Sequence, residues 1–340
     1  MGNVTASWVQ VNPSYIMPEI LLQYQQASGA FALLAGGEPM ARLSDGDLYA
    51  YIKKFDIRTK VAAGQVAYNG LPSVSVVANM ISTPSYLIRT RAEYDHHDTA
   101  AMARWGASIV EAQRLGMRQG TFQQMRNALL YGFNPQNGEG MANTQGATAT
   151  SLPPDSNGNT TLVTYDNGQL AVFLLAQVLA IKTRTMQLGL AARITITGPQ
   201  RVLGAMEYQN IVQLTQFQRA GAGSETTKGV LDAVLAGNED VLEWTYDDTL
   251  IGKGAGGNDL IIITIPEVKK PVGGKINTNE FAQLSPGLEA CNIQLCDMAA
   301  PREIPTPLPG GAIDVLSELR ITSGWGVRPE AITLLSVQYQ

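Results

Sequence analysis

Residues 98–132, DTAAMARWGASIVEAQRLGMRQGTFQQMRNALLYG, run straight into a glycine-rich turn, FNPQNGEGMANTQG (133–146). The run contains no proline, offers Asp98 or Thr99 as an N-cap, and closes on Gly132, a residue suited to a helix C-terminal stop. Read as one helix it spans about 50 Å. Met102, Trp105, Ile109 and Ala112 share one helical face, whereas Leu115, Phe122, Met125 and Leu129 share another. The change of phase falls on Gly116 and Gly120. Glycine costs about 1 kcal/mol per helical position relative to alanine, so this pair predicts a bend, a close approach by another backbone, or a break. A helix of that length is poorly covered by one chain of this size, which predicts that other copies cover part of it.

The chain of 340 residues is long enough for a sizeable core in two domains or one elaborate one. Only 16% of it is charged, and it holds 34 glycines and 17 prolines, a composition low in charge and rich in turns that suits a surface occupied by neighbours. The net charge of -5, from 24 basic and 29 acidic residues, excludes a chain that binds nucleic acid through overall charge, so any DNA contact is local or weak. Two cysteines, Cys291 and Cys296, exclude a disulfide framework and read as small buried hydrophobes in a reducing compartment. The first fifteen residues carry no charge and no continuous apolar core, so they do not read as a secretory signal. The longest apolar stretch, Leu170 to Ile181, is interrupted by Gln177 and reads as a buried helix, not a membrane span.

Along the chain, residues 1–50 read as an arm with one helix candidate at Pro18 to Ala30. From Phe55 to Tyr94 the pattern alternates, with Tyr86, Ile88, Thr90, Ala92 and Tyr94 on one face and Arg89, Arg91 and Glu93 on the other, which predicts a long hairpin or flap. A second strong helix is expected over Gln169 to Leu188, then a strand at Arg193 to Thr197 and a short helix at Gly229 to Ala236. Two strands, VLEWTY and DLIIITI, follow around a glycine loop, and the last fifty residues alternate short strands with turns. Helix and strand interleave without a repeated βαβ unit, so the fold class is α+β.

Two motifs suggest chemistry and fail on context. Gly252, Gly254 and Gly257 spell a dinucleotide fingerprint, yet a strand follows them where a helix N-terminus would have to hold the pyrophosphate. His96 and His97 are the only histidines and stand beside Glu93, Asp95 and Asp98, but adjacent residues diverge on strand or helix and no spaced partner exists. They read as a polar hinge, and no catalytic, metal or cofactor residue is assigned.

Charge distribution is more informative. Between residues 53 and 91 stand six basic residues, Lys53, Lys54, Arg58, Lys60, Arg89 and Arg91, against the single acid Asp56, a local charge of about +5. Residues 280 to 330 hold seven acids, Glu280, Glu289, Asp297, Glu303, Asp314, Glu318 and Glu330, against three arginines. A basic flap and an acidic body on one chain predict a head-to-tail contact between copies.

These elements, in this order, resemble the major capsid proteins of tailed bacteriophages with the Hong Kong 97-type fold, and the encapsulins that share it. The resemblance rests on the N-terminal arm, the long hairpin, the long spine helix, the turn Gly138, Glu139, Gly140, Met141, Ala142, Asn143 where the family often has EGLLN, and the terminal strand Gly326 to Ile332. It implies an arm (1–50), an extended loop hairpin (51–97), a peripheral domain (98–199) with its spine helix over 98–132, an axial domain (200–300) and a return to the peripheral domain (301–340). It also implies a structural role without cofactor or membrane: hexamers and pentamers of this chain in an icosahedral shell around double-stranded DNA, assembled in the bacterial host cytoplasm into the virion. Scaffold, portal and decoration proteins would be its further partners. An encapsulin enclosing enzyme cargo is the alternative within the fold. A soluble metal- or nucleotide-dependent enzyme, resting on His96 and His97 or on the Gly252 loop, is the alternative of another class.

Overall fold

The computed structural model describes residues 30–33, 43–44, 46–59, 74–104, 106, 108–134, 136, 138–185, 187, 190–208, 226–268, 293–294, 302–326 and 328–340. The helix candidate at 18–30, all but its last residue, and both cysteines lie outside the described residues.

Two sheets carry the fold. The first has the order β1 (Tyr49–Thr59), β2 (Val74–Tyr94), β9 (Ile313–Thr322), β8 (Arg302–Pro307), antiparallel throughout. Strands β1 and β2 form the expected hairpin, in register from Tyr49 opposite Pro84 to Thr59 opposite Val74. Beyond it the alternation of β2 behaves as the sequence pattern requires, with Ile88 buried and Leu87, Arg89, Arg91 and Glu93 exposed.

The second sheet is mixed, in the order β3 (Thr148–Ser151), β11 (Ile332–Val337), β6 (Asp259–Thr264), β4 (Arg193–Gly198), β5 (Val241–Tyr246). All six residues of β6 are buried, because both faces of this sheet are covered. On one side Ile261 and Ile263 pack under α3 (Asn167–Arg184), α4 (Gln200–Tyr208) and α5 (Thr227–Ala236), through Leu174, Val178, Leu203 and Leu231. On the other, Leu260 and Ile262 meet Leu129 and Leu130 and the short turn Ala30–Leu33. A two-residue pair, β7 (Ile293–Gln294) with β10 (Trp325–Gly326), completes the described strands.

The spine differs from the single helix expected over 98–132. It is divided into α1 (His96–Ala103) and α2 (Ile109–Leu130). Asp95, not Asp98 or Thr99, caps α1, and Asp98 closes a capping box with it. Gly106 takes the left-handed conformation (φ 70°), and Ser108 opens α2 by accepting the Glu111 amide at 3.3 Å. The signal was present in the sequence, since a glycine followed by Ser-x-x-Glu is a stop and a start. At 22 residues, α2 is about 33 Å long.

The helix ladder runs uninterrupted through Gly116 and Gly120. Of the second expected stripe, Met125 packs on the first sheet beside Ala128 and Leu129 is fully buried in the core of the second, whereas Phe122 is partly exposed; Met117 and Thr121 are buried as well, Ala112 of the first stripe is exposed, and Trp105 lies outside the described residues. A side chain at Gly116 would meet nothing within 4 Å, and one at Gly120 only Thr90 Cγ2 at 3.8 Å. Gly116→Ala should therefore stabilise the protein by about 0.5–1 kcal/mol, a rise in urea midpoint, because alanine loses less backbone freedom on folding.

Candidate assembly interface

The end of α2 is where the two sheets meet. Ala128 packs with Ile88, Leu319 and Ile321 of the first sheet, while the next two residues, Leu129 and Leu130, enter the core of the second. Four groups close the helix. The Gly132 amide returns to Ala128 O at 3.1 Å, with Gly132 at φ 71°, and the Gly324 amide reaches the same carbonyl at 2.9 Å. Asn143 Nδ2 donates to Tyr131 O at 3.0 Å, and the Tyr131 amide bonds Asn127 O at 2.8 Å.

Under this end lies the turn that carried the resemblance. Glu139 is buried and accepts hydrogen bonds from Ser323 Oγ at 2.9 Å and Tyr86 Oη at 3.4 Å. Burial, and then the Glu139 carboxylate, push the Tyr86 phenol above its ordinary range. Met141 is fully buried, and Tyr86 stacks on Phe133 with ring centroids 4.3 Å apart. The carboxylate thus joins β2, the turn and the end of β9, tying the base of the flap to the spine and the body.

The hairpin itself is a two-stranded ribbon, an arrangement of marginal stability in water unless something covers it. Tyr49 and Tyr51 share one face with Met80 by register, their rings 6.2 Å apart, and Tyr51 and Met80 remain 62% and 61% exposed. The sequence reading weighed the flap's charges and missed these side chains. Two tyrosines spaced by two in an alternating run would have marked the face.

Part of the expected charge complementarity is met inside the chain. Arg89 Nε bonds Glu318 at 2.9 Å and Arg91 Nε bonds Asp314 at 2.8 Å, both within the chain, across the β2–β9 ladder. Both acids of β9, Asp314 and Glu318, are thus already engaged, and Glu303 is engaged likewise by Arg114 at 3.2 Å. Lys53, Lys54 and Arg58 stand on β1, whose side chains there are not described, and Lys60, Glu280 and Glu289 lie outside the described residues.

The two rejected motifs have clear places. His96 and His97 form the exposed first turn of α1, with ring centroids 3.9 Å apart. Among the described residues no three His, Cys, Asp or Glu side chains converge. The Gly252–Gly257 loop leads directly into β6, and its Gly252 amide is taken by Asp259 Oδ1 at 3.0 Å. Arg201 grips the same carboxylate at 2.7 and 2.6 Å.

A second uncovered face lies on α3 and α5, where Val172, Leu179 and Val234 are exposed. The charges these helices carry are turned to internal partners: Lys182 to Asp240, Lys228 to Glu207, Asp232 to Trp244 Nε1, and Arg184 to the hydroxyls of Thr148 and Thr333.

No protein-family model matches the sequence, and no curated protein matches it. Solved structures do match in fold. The capsid of Myoviridae phage XM1 superposes with a TM-score of 0.65 at 11% identity, over 95% of this chain and 96% of that one. The capsid of an empty GTA particle gives 0.57 at 10% identity over 96% and 95%, and a structure from Mycobacterium phage Che8 gives 0.54 at 10% over 97% and 98%. The class that the architecture defines is the Hong Kong 97-type capsid fold, with flap, spine and sheets in the expected order.

Proposed function

We propose that this chain is a structural major capsid protein that self-assembles into the icosahedral head shell of a tailed phage and encloses double-stranded DNA. The observation that carries the reading is the coverage: the fold matches that of phage capsids over nearly the whole of both chains. Supporting it are the apolar faces left open on the flap and on α3 and α5, which repeated copies would cover. The subunits form hexamers and pentamers, and the flap lies on a neighbouring copy through its apolar face and through Lys53, Lys54, Arg58 and Lys60. Scaffold, portal and decoration proteins join in the host cytoplasm. The net negative charge makes the contact with DNA local and weak.

Electron microscopy of purified particles with a nuclease-protection assay tests this. Closed shells retaining double-stranded DNA in phage lysates are the expected result. Shells that hold protein cargo and no nucleic acid would indicate the encapsulin-like alternative. A cooperatively folded monomer at high micromolar concentration, with no larger species at any salt or crowding condition, would falsify the shell reading.

A further inference from the structure

The pair Asn-Gly occurs twice within the described residues, at 157–158 and at 167–168, in opposite environments. The pair is chemically fragile, because glycine has no β-carbon to hinder attack by its nitrogen on the preceding carboxamide. Residues 155–159 form a turn ahead of α3, closed by the Gly158 amide on Asp155 O at 3.0 Å. Asp155 is buried, and its carboxylate accepts the Asn157 amide at 2.9 Å, the Asn159 amide at 2.7 Å, Asn159 Nδ2 at 3.0 Å and the Asp166 amide at 3.3 Å. Asp166 in turn caps α3 by accepting the Gln169 amide at 2.9 Å. The Gln169 side chain reaches back, accepting the Ser156 amide at 3.0 Å and donating to Ser156 Oγ at 2.6 Å. One carboxylate and one carboxamide thus clip the turn to the first turn of α3.

The side chains of Asp155, Ser156, Asn159 and Gln169 all enter this clip, and that of Asn157 does not. Asn157 and Gly158 are both exposed, and Gly158, at φ 85°, has nothing within 4 Å of the place a β-carbon would take. The bond from the Gly158 nitrogen to Asp155 O lies in a surface turn, where local opening costs little. At the second pair the surroundings are reversed. Asn167 begins α3, Gly168 is buried, and Thr227, fully buried at the start of α5, donates its Oγ1 to Asn167 O at 3.2 Å. The helix fixes the backbone there, so the Asn167 carboxamide and the Gly168 nitrogen cannot be brought into line without unwinding the first turn of α3.

We propose that Asn157–Gly158 is a site of spontaneous modification, at which the folded chain converts Asn157 to aspartate and isoaspartate and so releases the clip on α3. The Gly158 nitrogen loses its proton to solvent base and attacks Asn157 Cγ. The new N–Cγ bond closes a five-membered succinimide, and the carboxamide nitrogen takes up a proton and leaves as ammonia. Water then adds to one of the two ring carbonyls. Breaking the new N–Cγ bond gives aspartate, whereas breaking the original peptide bond gives isoaspartate, with the main chain running through Cβ and Cγ. Either product replaces a neutral amide with a carboxylate beside that of Asp155, and like charges repel. Isoaspartate also lengthens the main chain between the amides of residues 157 and 159, which Asp155 Oδ1 binds together. The two bonds cannot then both persist, and the turn comes away from α3.

Peptide mapping by mass spectrometry on full-length protein, aged at neutral and mildly alkaline pH, tests the proposal. In the folded protein position 157 should gain its carboxylate about tenfold faster than position 167, since only the exposed turn opens freely. The rate should rise with pH, because the attacking nitrogen must lose a proton. In urea the two rates should converge, as the pair is the same and the helix is gone. Equal rates in the folded protein overturn the proposal, as does an Asn157 that stays intact while Asn167 of the unfolded chain converts. Hydrogen exchange reads the consequence. Peptides over 163–170 should exchange faster in aged than in fresh parent and stay slow in aged Asn157→Gln, whose longer side chain would have to close a disfavoured larger ring. Isoaspartate at 157 with unchanged exchange over 163–170 would overturn the release of the clip. Whether particles form in electron microscopy bears on the shell reading alone.

Discussion

Gly140→Ala is expected to destabilise the folded chain by about 3 kcal/mol or more, enough to remove most soluble protein at 37 °C. A β-carbon at this position would lie 2.4 Å from both Leu130 O and Tyr131 C and 2.5 Å from Tyr131 Cα. All three atoms are backbone at the end of α2, so no side-chain rotation can make room. The cause is space and not backbone conformation, since Gly140 has φ -104°, open to any residue. Gly324→Ala should behave alike, its added carbon falling 2.5 Å from Leu129 O on the opposite side of the same helix end. These two glycines let the turn and the end of β9 close on α2, and the alanine variants should splay that joint. Urea unfolding followed by circular dichroism on unassembled protein measures the effect, with Gly116→Ala as the control of opposite sign. A Gly140→Ala protein whose midpoint matched the parent would show that the turn does not sit under the helix as described.

Lys182→Met should cost about 3–5 kcal/mol, because it leaves the carboxylate of Asp240 buried without its counter-charge. The two side chains are 5% and 1% exposed, and Lys182 Nζ donates to both carboxylate oxygens, at 2.8 and 2.7 Å. Asp240 also accepts the Ala192 amide at 2.8 Å, so the pair joins the last turn of α3 to the entries of β4 and β5. Replacing Asp240 with asparagine in the Lys182→Met background removes the stranded charge and keeps an oxygen for Ala192. The double variant should therefore recover more than 1 kcal/mol relative to Lys182→Met alone, a coupling measured by a double-mutant cycle. The exposed pairs Arg89–Glu318 and Arg91–Asp314 make the contrast: each contributes about 0–1 kcal/mol and is screened by salt. A loss below 1 kcal/mol for Lys182→Met would mean that water reaches this pair in solution.

Local pattern made much of this molecule legible before its structure. Strict alternation in β2, the uncharged run of α3 and the unbroken aliphatic run of β6 each follow from a periodicity set within a few residues, and together they give the α+β class and the order of elements. The turn at Gly138–Asn143 was visible for the same reason, as small residues next to a helix stop. The division of the spine at Gly106 was equally local, and there the capping signal of Ser108 and Glu111 lost out to the absence of proline over the longer run.

What the sequence by itself could not determine is which distant residues share a surface. Charge counted along the chain set a basic flap against an acidic tail and suggested a contact between copies. The β2–β9 register instead brings Arg89 to Glu318, 229 positions away, within one chain. Lys182 stands in the last turn of α3, where a lysine ordinarily complements the helix dipole in water, and only the packing of α3 against β4 and β5 buries it with Asp240. The pairing of β2 is of the same kind, for β1 and β9 meet this one strand on opposite sides and at different heights. Periodicity is set by neighbours in sequence and survives in the sequence alone; register, burial and strand pairing are set by which elements meet in space, so the tertiary structure decides them.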